Sequence, residues 1–222
     1  MPRIVAKMAT FPARYDQCLI AVNSLLDQVD LVTVYCNQYD SAPSYLNHRK
    51  IKPILGLDIG DGGKLHGEQG SDYTFLVDDD LRYPANYVAK MKRAIDSYGG
   101  SRIIGVHAAI LRKDPKNYFS DRSVWHFAAK INSTFPVNVL GTGTVAFSGD
   151  LVRLSEISPV MPNMLDVYFA VYCQSRGIGM SSIARPTNWI QQIPIKQSIW
   201  GSRGDGKNQT RVINQIPVWK VY

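Results

Sequence analysis

Three consecutive carboxylates, Asp78, Asp79 and Asp80, are the residues in this chain best suited to chemistry. On an extended chain alternate side chains share a face, so we expect Asp78 and Asp80 to point one way and Asp79 the other. Adjacent carboxylates repel one another, and no Lys follows within the run, so a cation is expected to neutralise them. Hard oxygen ligands in small number suit Mg²⁺ or Mn²⁺ held jointly with a substrate diphosphate. The alternative is a solvated acidic turn at a helix N-terminus, where the helix dipole also favours negative charge.

The elements on either side place these acids at the edge of a sheet. Residues 73–77 are a short, mostly apolar run without alternation, which is typical of a strand buried on both faces. Pro84 is favoured in a first helical turn, and it predicts a helix over 84–97. The acids are therefore expected at the carboxyl end of a central strand, where open α/β sheets bind their ligands.

The rest of the chain alternates between strands and helices through its first half. This pattern predicts an α/β fold with a mixed, mainly parallel sheet and helices on both faces. We expect a single domain over 1–195, with a first half of about 1–107 and a second half of 108–195, and then 196–222 as a mobile basic loop (196–211) and tail. The predicted strands cover 3–9, 31–36, 51–55, 73–77, 102–107 and 180–184, and the longer helices cover 15–28, 84–97 and 164–176.

The composition is that of an ordinary globular domain. The 222 residues carry a net charge of +7 with a pI of about 9.3, which is compatible with an anionic small molecule, nucleic acid or an anionic membrane surface. The sequence contains no run of 18 apolar residues, so no membrane span is predicted. Three widely spaced cysteines without a CxxC pair are typical of reduced thiols, so we expect a cytoplasmic protein without disulfides. The denser basic group near the end comprises Lys196, Arg203, Lys207, Arg211 and Lys220.

Four motifs in sheet order resemble the glycosyltransferase A fold, in particular small bacterial and phage relatives of the family 2 enzymes. The resemblance covers about residues 1–190. It implies a metal-dependent enzyme that moves a sugar from a nucleotide diphosphate, with UDP favoured, to an acceptor. The motifs are the Thr10-Phe11-Pro12-x-Arg14 loop, the Asp61-x-x-Lys64 loop, Asp78-Asp79-Asp80, and Asp166 on a late helix.

The resemblance also assigns roles on the donor side. Asp80 is implied to bind Mn²⁺ or Mg²⁺ most directly, and Asp78 to face the ribose and the metal. Arg14 follows the first strand and has the chemistry to pair with a phosphate or stack on a base, although a surface loop is the alternative. The implied donor-binding residues are Thr10, Phe11, Pro12, Arg14, Asn37, Asp61, Lys64, Asp78 and Asp79.

The glycine-rich loop 58–64 adds a second donor-side element. Asp61 has the chemistry to accept the N3–H of uracil, and Lys64 can meet a phosphate as a point charge. The glycines of the loop let a backbone approach a ligand closely. A simple Gly-Asp turn between strands is the alternative, and the Walker spacing GxxxxGK[ST] is absent.

Asp166 is the candidate catalytic base. It is an acid among apolar neighbours at the start of the helix predicted over 164–176, where partial desolvation raises a carboxylate pKa. Inverting transfer needs a base that takes the proton of the acceptor hydroxyl. The alternative is an ordinary helix N-terminal Asp. Family members often carry a second acid beside this one, and here that neighbour is Leu165.

Two further groups are predicted around the acceptor. A pocket for the acceptor or the sugar is predicted from His107, Gly141, Thr142, Gly143 and Asp166. A lone His such as His107 is more often a core residue, and the glycines are equally typical of a bulged strand. No His follows His126, so a further metal ligand of that type, used by some relatives, is not expected. A mobile loop that closes over the donor is predicted from Trp200, Arg203 and Lys207, with a disordered surface loop as the equal alternative.

Three functions remain open from the sequence. The first is an inverting, metal-dependent glycosyltransferase that uses a nucleotide-sugar donor and a glycan or lipid-linked acceptor. The second keeps the chemistry but uses DNA with a hydroxymethylated base as the acceptor, which the basic end of the chain favours. The third is a nucleotidyltransferase or a non-catalytic nucleotide-binding module. The chain lacks the glycine- and arginine-rich loop after the first strand that is the signature of a nucleotidyltransferase.

Overall fold

The computed structural model describes residues 2–67, 70–195 and 204–222. The α-helices of this part of the chain are α1 (Tyr15–Asn23), α2 (Tyr87–Ser97), α3 (Leu165–Ser175) and α4 (Lys207–Ile213). Its strands are β1 (Ile4–Thr10), β2 (Leu31–Asn37), β3 (Ile51–Gly56), β4 (Tyr73–Val77), β5 (Leu81–Arg82), β6 (Arg102–Gly105), β7 (Ala108–Leu111), β8 (Arg122–Trp125), β9 (Phe135–Val137), β10 (Val139–Leu140), β11 (Thr144–Ser148), β12 (Gly179–Ser182) and β13 (Gln191–Gln192).

A central sheet runs through the molecule in the order β3-β2-β1-β4-β11-β6-β12-β9. The first four strands, β1 to β4, are neighbours in this sheet and all run parallel. Strand β11 is antiparallel to both β4 and β6. The predicted mixed, mainly parallel α/β sheet is therefore confirmed. Two smaller sheets, β10-β7-β8 and β13-β5, lie beside it and come from the segments that the sequence left irregular.

The prediction that the strand before the acids is buried on both faces is confirmed. Phe75 and Val77 of β4 contribute to one hydrophobic core, together with side chains of α1 and α2. Leu76 points to the opposite core, which contains side chains of α3 and α4. The sheet thus separates two apolar layers, and each layer is covered by helices.

Several predicted boundaries were wrong for local reasons. The first helix ends at Asn23 rather than at residue 28, because residues 24–28 form turns. The second helix begins at Tyr87, three residues after Pro84, since the chain between the acids and Pro84 first forms β5 against β13. The end of α3 was predicted well, because Gly177 adopts the left-handed backbone (φ 67°) that a helix C-cap favours.

The end of the chain differs most from the prediction. Residues 196–203 of the predicted mobile loop, with Trp200 and Arg203, lie outside the described residues. The remainder of that predicted loop contains α4, whose Val212 and Ile213 are buried in the core around α3. The three cysteines are buried and free, as expected. No helix among the described residues is long and apolar enough to cross a membrane.

Candidate active site

A cleft of about 550 Å³ opens at the carboxyl ends of β1, β2 and β4. This is the edge of the sheet at which the sequence places the acids. The cleft is lined by predicted site residues from every motif, namely Thr10, Phe11, Arg14, Asn37, Asp61, Lys64, Asp78, Asp79, Asp80, His107, Gly141, Thr142, Gly143 and Asp166. The fold therefore brings together groups that lie up to 156 positions apart in the chain.

Two basic side chains neutralise the outer carboxylates of the triple acid. Arg14 Nη1 lies 2.8 Å from Asp80 Oδ2, and the Lys64 ammonium forms an ion pair with Asp78 Oδ1. Both cations are buried, with only 4% and 3% of their side chains exposed. Burial alone would lower the pKa of Lys64, but the charges of Asp78 and Asp61 hold that pKa above its usual value. The sequence predicted a cation for these acids, and here the chain itself supplies two.

The three acids differ in exposure as the alternation argument predicts. The side chains of Asp78 and Asp80 are 40% and 20% exposed, whereas Asp79 is 9% exposed. Burial, together with the adjacent Asp80 charge, raises the pKa of Asp79 to about 7. Burial and the charge of Asp78 also raise the pKa of Asp80, against the pull of Arg14. Asp78 and Asp80 are thus the carboxylates that a ligand can reach most easily.

The carboxylate oxygens of Asp78 and Asp80 fit a metal that is shared with a diphosphate. Asp78 and Asp80 offer hard carboxylate oxygens toward one cleft, which is the chemistry that Mg²⁺ and Mn²⁺ prefer. Within the described ranges no group of three or more His, Cys, Asp or Glu side chains is arranged to hold a metal. A metal held by two carboxylates completes its coordination with substrate oxygens and water, so these residues fit a cation that arrives with its substrate.

The Asp61 loop is held on two sides. It forms a short 3-10 helix (Gly60–Leu65), and Asn37 fastens its start to the sheet by accepting from Ile59 N (2.9 Å) and donating to Gly60 O (3.1 Å). Asp61 Oδ2 accepts a hydrogen bond from Leu165 N, the first amide of α3, at 2.9 Å. Its other oxygen, Oδ1, is buried without a hydrogen-bond partner in the part of the chain that the structure describes.

This unpartnered oxygen makes Asp61 an unusual acid. Burial raises its pKa to about 6, although the nearby Lys64 charge pulls the other way. A buried acceptor without a partner is costly, and a ligand donor at this position would satisfy it. The observation is consistent with the predicted contact between Asp61 and a nucleobase N–H, which stays a prediction.

Asp166 lies in the first turn of α3, directly after Leu165, whose amide donates to Asp61. Its Oδ1 accepts two hydrogen bonds from Thr142, one from the backbone N–H (2.7 Å) and one from the hydroxyl (2.6 Å). Both bonds fix the orientation of the carboxylate, which is half-buried. The Gly-Thr-Gly-Thr turn between β10 and β11 is therefore the element that positions the candidate base.

Gly143 must be a glycine because of the triple acid. A Cβ atom added there would lie 1.8 Å from Asp78 Oδ2 and 2.2 Å from its Cγ. The hydroxyl of Tyr83 links the end of β4 to the start of β11, since it donates to Gly143 O (2.7 Å) and accepts from Asp78 N (2.7 Å). The sequence analysis missed Tyr83, and no pattern in the sequence distinguishes it from any other core aromatic.

No protein-family model matches the chain, and no curated protein matches its sequence. Solved structures do match it. Glucosyl-3-phosphoglycerate synthase from Mycobacterium tuberculosis, crystallised with Mn²⁺, UDP-glucose and phosphoglyceric acid, aligns with a TM-score of 0.63 at 9% identity, over 96% of this chain and 79% of that chain. The same synthase with Mn²⁺, UDP and phosphoglyceric acid gives 0.62 at 9% identity, over 96% and 78%. A structure described as a mycobacterial protein gives 0.57 at 10% identity, over 96% and 72%.

This chain has a glycosyltransferase A fold. Within that fold the cleft contains further residues that the sequence analysis did not single out. Gln192 of β13 donates to Asp80 O (3.0 Å), and Ile193 N donates to the same carbonyl (2.8 Å), so this segment covers the turn of the triple acid. His126 and Phe127 also line the cleft, with His126 beside His107 at 5.5 Å between ring centroids.

Some of the predicted site residues lie outside the cleft or have a second explanation. Pro12 is exposed, begins a 3-10 helix (Pro12–Arg14) and does not line the cleft. Lys207 is exposed and pairs with Asp205 at 2.7 Å. Burial lowers the pKa of His107 to about 4, so this imidazole is neutral at pH 7 despite the nearby Asp166. No finding supports a DNA acceptor, and the roles of these residues stay predictions.

Proposed function

We propose that the chain is a metal-dependent glycosyltransferase that uses a nucleotide-diphosphate sugar, with a UDP-sugar favoured. The observation that carries the proposal is the single cleft in which two reachable carboxylates, two buried cations and a fixed, half-buried carboxylate meet. The shared fold of solved structures that contain Mn²⁺ and UDP-glucose supports it.

The donor end of the cleft suits a nucleoside diphosphate. Arg14 and Lys64 are already in place as partners for phosphate oxygens, because each needs only to exchange a carboxylate for a phosphate. Asp61 Oδ1 is the acceptor for a base N–H, and the selection of uracil rests on that oxygen. Asp78 and Asp80 would hold the metal, which would supply Lewis-acid stabilisation of the negative charge on the leaving diphosphate.

The acceptor end is organised around Asp166. Thr142 occupies Oδ1 with two hydrogen bonds, which leaves Oδ2 to take the proton of the acceptor hydroxyl as that oxygen attacks the sugar carbon. A base in this position favours inversion at the anomeric carbon. The acceptor is a hydroxyl compound, among which glycans and lipid-linked sugars are the classes expected from the sequence.

The test separates donor binding from transfer. Release of UDP from UDP-sugars is measured with Mn²⁺ and candidate acceptors, and donor binding is measured separately as a UDP-induced rise in melting temperature. Asp80→Asn should lose the Mn²⁺-dependent part of UDP binding. Asp166→Asn should keep UDP binding and lose transfer by about 100-fold or more. Asp150→Asn is the control, because Asp150 is exposed and lies outside the cleft.

Two results would contradict the proposal. Full transfer in the presence of EDTA would exclude a required metal. Release of pyrophosphate from a nucleoside triphosphate, without UDP release from any UDP-sugar, would identify a nucleotidyltransferase instead. The anomeric configuration of the product, read by NMR, tests the inverting mechanism independently.

A further inference from the structure

A second cavity of about 190 Å³ adjoins the donor cleft on the side away from the triple acid. The two spaces share Asp61, His107, Gly141, Asn163 and Asp166, whereas Asp78, Asp79 and Asp80 line only the first. The candidate base therefore stands between them. A molecule in the second cavity would present its hydroxyl to Asp166 from the side opposite the donor phosphates, so this cavity has the position of an acceptor subsite.

Arg122, at the start of β8, supplies a cation to this cavity. Among the described residues its guanidinium forms no ion pair, and its buried Nε has no hydrogen-bond partner. The two acids that line the cavity each bond elsewhere through one oxygen, Asp61 Oδ2 to Leu165 N and Asp166 Oδ1 to Thr142, and neither forms an ion pair with Arg122. His107 is the neighbouring titratable group, and it is neutral at pH 7. A partly buried arginine without an anionic partner is uncommon, because buried charges are normally paired.

The guanidinium is held in place without an ion pair. Its Cζ lies 4.1 Å from the ring centroid of Tyr118 and 5.3 Å from that of Phe119. Tyr118 is buried, and its backbone N–H donates to Thr210 Oγ1 of α4 at 2.9 Å. The same helix contributes Gln209 to the cavity wall. Stacking on aromatic rings fixes the plane of an arginine. The Tyr118 side chain also takes a hydrogen bond from Arg122, and the other N–H donors can bind a carboxylate or a phosphate.

We propose that the second cavity is the acceptor subsite and that the acceptor is a small hydroxylated molecule carrying a carboxylate or a phosphate, which Arg122 binds. This inference rests on the proposed glycosyl transfer. The volume agrees with it, since 190 Å³ corresponds to roughly six water molecules at about 30 Å³ each. The remaining walls include Ala109, Val139 and Val167, whose apolar surface lowers the local dielectric around a pair between the anion and Arg122.

A matched set of probes tests the anionic group. Glycerate, glycerol 3-phosphate and glycerol share hydroxyl groups and differ in carrying a carboxylate, a phosphate or no charge. Binding is measured by calorimetry with saturating UDP and Mn²⁺ present, so that Arg14 and Lys64 are occupied. At least one of the two anions should bind, glycerol should not, and the comparison of glycerate with glycerol 3-phosphate identifies the preferred group.

Variants assign the binding to Arg122. Arg122→Gln should weaken binding of the anion about tenfold or more, as expected for a lost charge-assisted hydrogen bond. Arg122→Lys should recover part of the loss, because the charge returns without the planar fork. Arg112→Gln is the control, since Arg112 is exposed and follows β7 in the same hairpin. Circular dichroism and retained UDP binding show that each variant is folded.

The outcomes separate this inference from the proposed function. Equal anion binding by wild type and Arg122→Gln, or tighter binding of glycerol than of either anion, overturns the anionic acceptor while UDP binding stands. If the wild-type protein does not bind UDP, the donor proposal is wrong instead. If an Arg122-dependent anion site persists in that case, the cavity is an anion site and its assignment to an acceptor is wrong.

Discussion

Two buried tyrosines in contact provide a direct test of how the acid-bearing strand is held. Tyr83 and Tyr87 are 2% and 0% exposed, and their ring centroids lie 4.8 Å apart. The hydroxyl of Tyr83 bonds to both Asp78 N and Gly143 O at 2.7 Å. The hydroxyl of Tyr87 is buried without a hydrogen-bond partner among the described residues. The same Tyr→Phe change therefore removes two hydrogen bonds at one site and none at the other.

The expected magnitudes differ in size and direction. Tyr83→Phe leaves a backbone N–H and a carbonyl without their partner, and each unsatisfied buried group costs about 1–3 kcal/mol. We expect a loss of about 2–4 kcal/mol in the free energy of unfolding. At about 2–4 °C per kcal/mol for a domain of this size, the melting temperature should fall by about 4–16 °C. Tyr87→Phe removes an unpaired polar atom and should be neutral or stabilise by up to about 1 kcal/mol.

Calorimetry on both variants is the assay, with urea unfolding as a second measure of the free energy. The measurement has an additional functional readout, because Tyr83 joins Asp78 to the turn that positions Asp166. UDP binding should weaken in Tyr83→Phe and stay unchanged in Tyr87→Phe. Melting temperatures within about 2 °C of each other for the two variants would refute the reasoning that the Tyr83 hydroxyl fastens β4 to β11.

Three further predictions concern the cleft. Gly143→Ala should displace the Asp78 side chain and abolish Mn²⁺-dependent UDP binding, while Gly62→Ala, whose added Cβ would meet only Pro159 Cγ at 3.7 Å, should retain it in the same titration. Asp61→Asn should raise the melting temperature at pH 7.5 but not at pH 4. The pKa of Asp61 is raised from 3.8 to about 6 in the folded protein, so its ionisation destabilises the fold as the pH rises above about 4, by up to about 3 kcal/mol. A melting-temperature difference between variant and wild type that is the same at both pH values would contradict the raised pKa of Asp61. Thr142→Val removes one of two bonds to Asp166 and should lower kcat about tenfold with little change in the KM for the donor, which steady-state kinetics would show.

The parts of the fold that were predictable from the sequence depend on local patterns. An unbroken apolar run followed by acids is enough to predict a central strand with a polar carboxyl end, and the order of strands and helices through the first half predicts parallel pairing. The helix that carries Asp166 was predicted to within a residue at each end, because Gly177 provides a clear stop. These features need no knowledge of distant contacts.

The parts that were not predictable depend on pairings between distant positions. Arg14 and Asp80 are 66 positions apart, and their ion pair follows only from the adjacency of β1 and β4. The helix α4 was missed because its seven residues are too few for a clear apolar stripe, and its stability comes from packing Val212 and Ile213 against α3. Tyr83 was missed because a hydroxyl that bridges two strands leaves no periodic signal.

The paired cations at the triple acid have a consequence for how the cleft fills. Asp78 with Lys64 and Asp80 with Arg14 form a set whose formal charges cancel before any ligand arrives. A divalent metal and the doubly charged diphosphate of a nucleotide sugar also cancel when they enter as a pair, whereas either one alone leaves an excess charge in a partly desolvated space. Metal and nucleotide should therefore bind with strong mutual dependence, so that each tightens the apparent affinity of the other by the same factor.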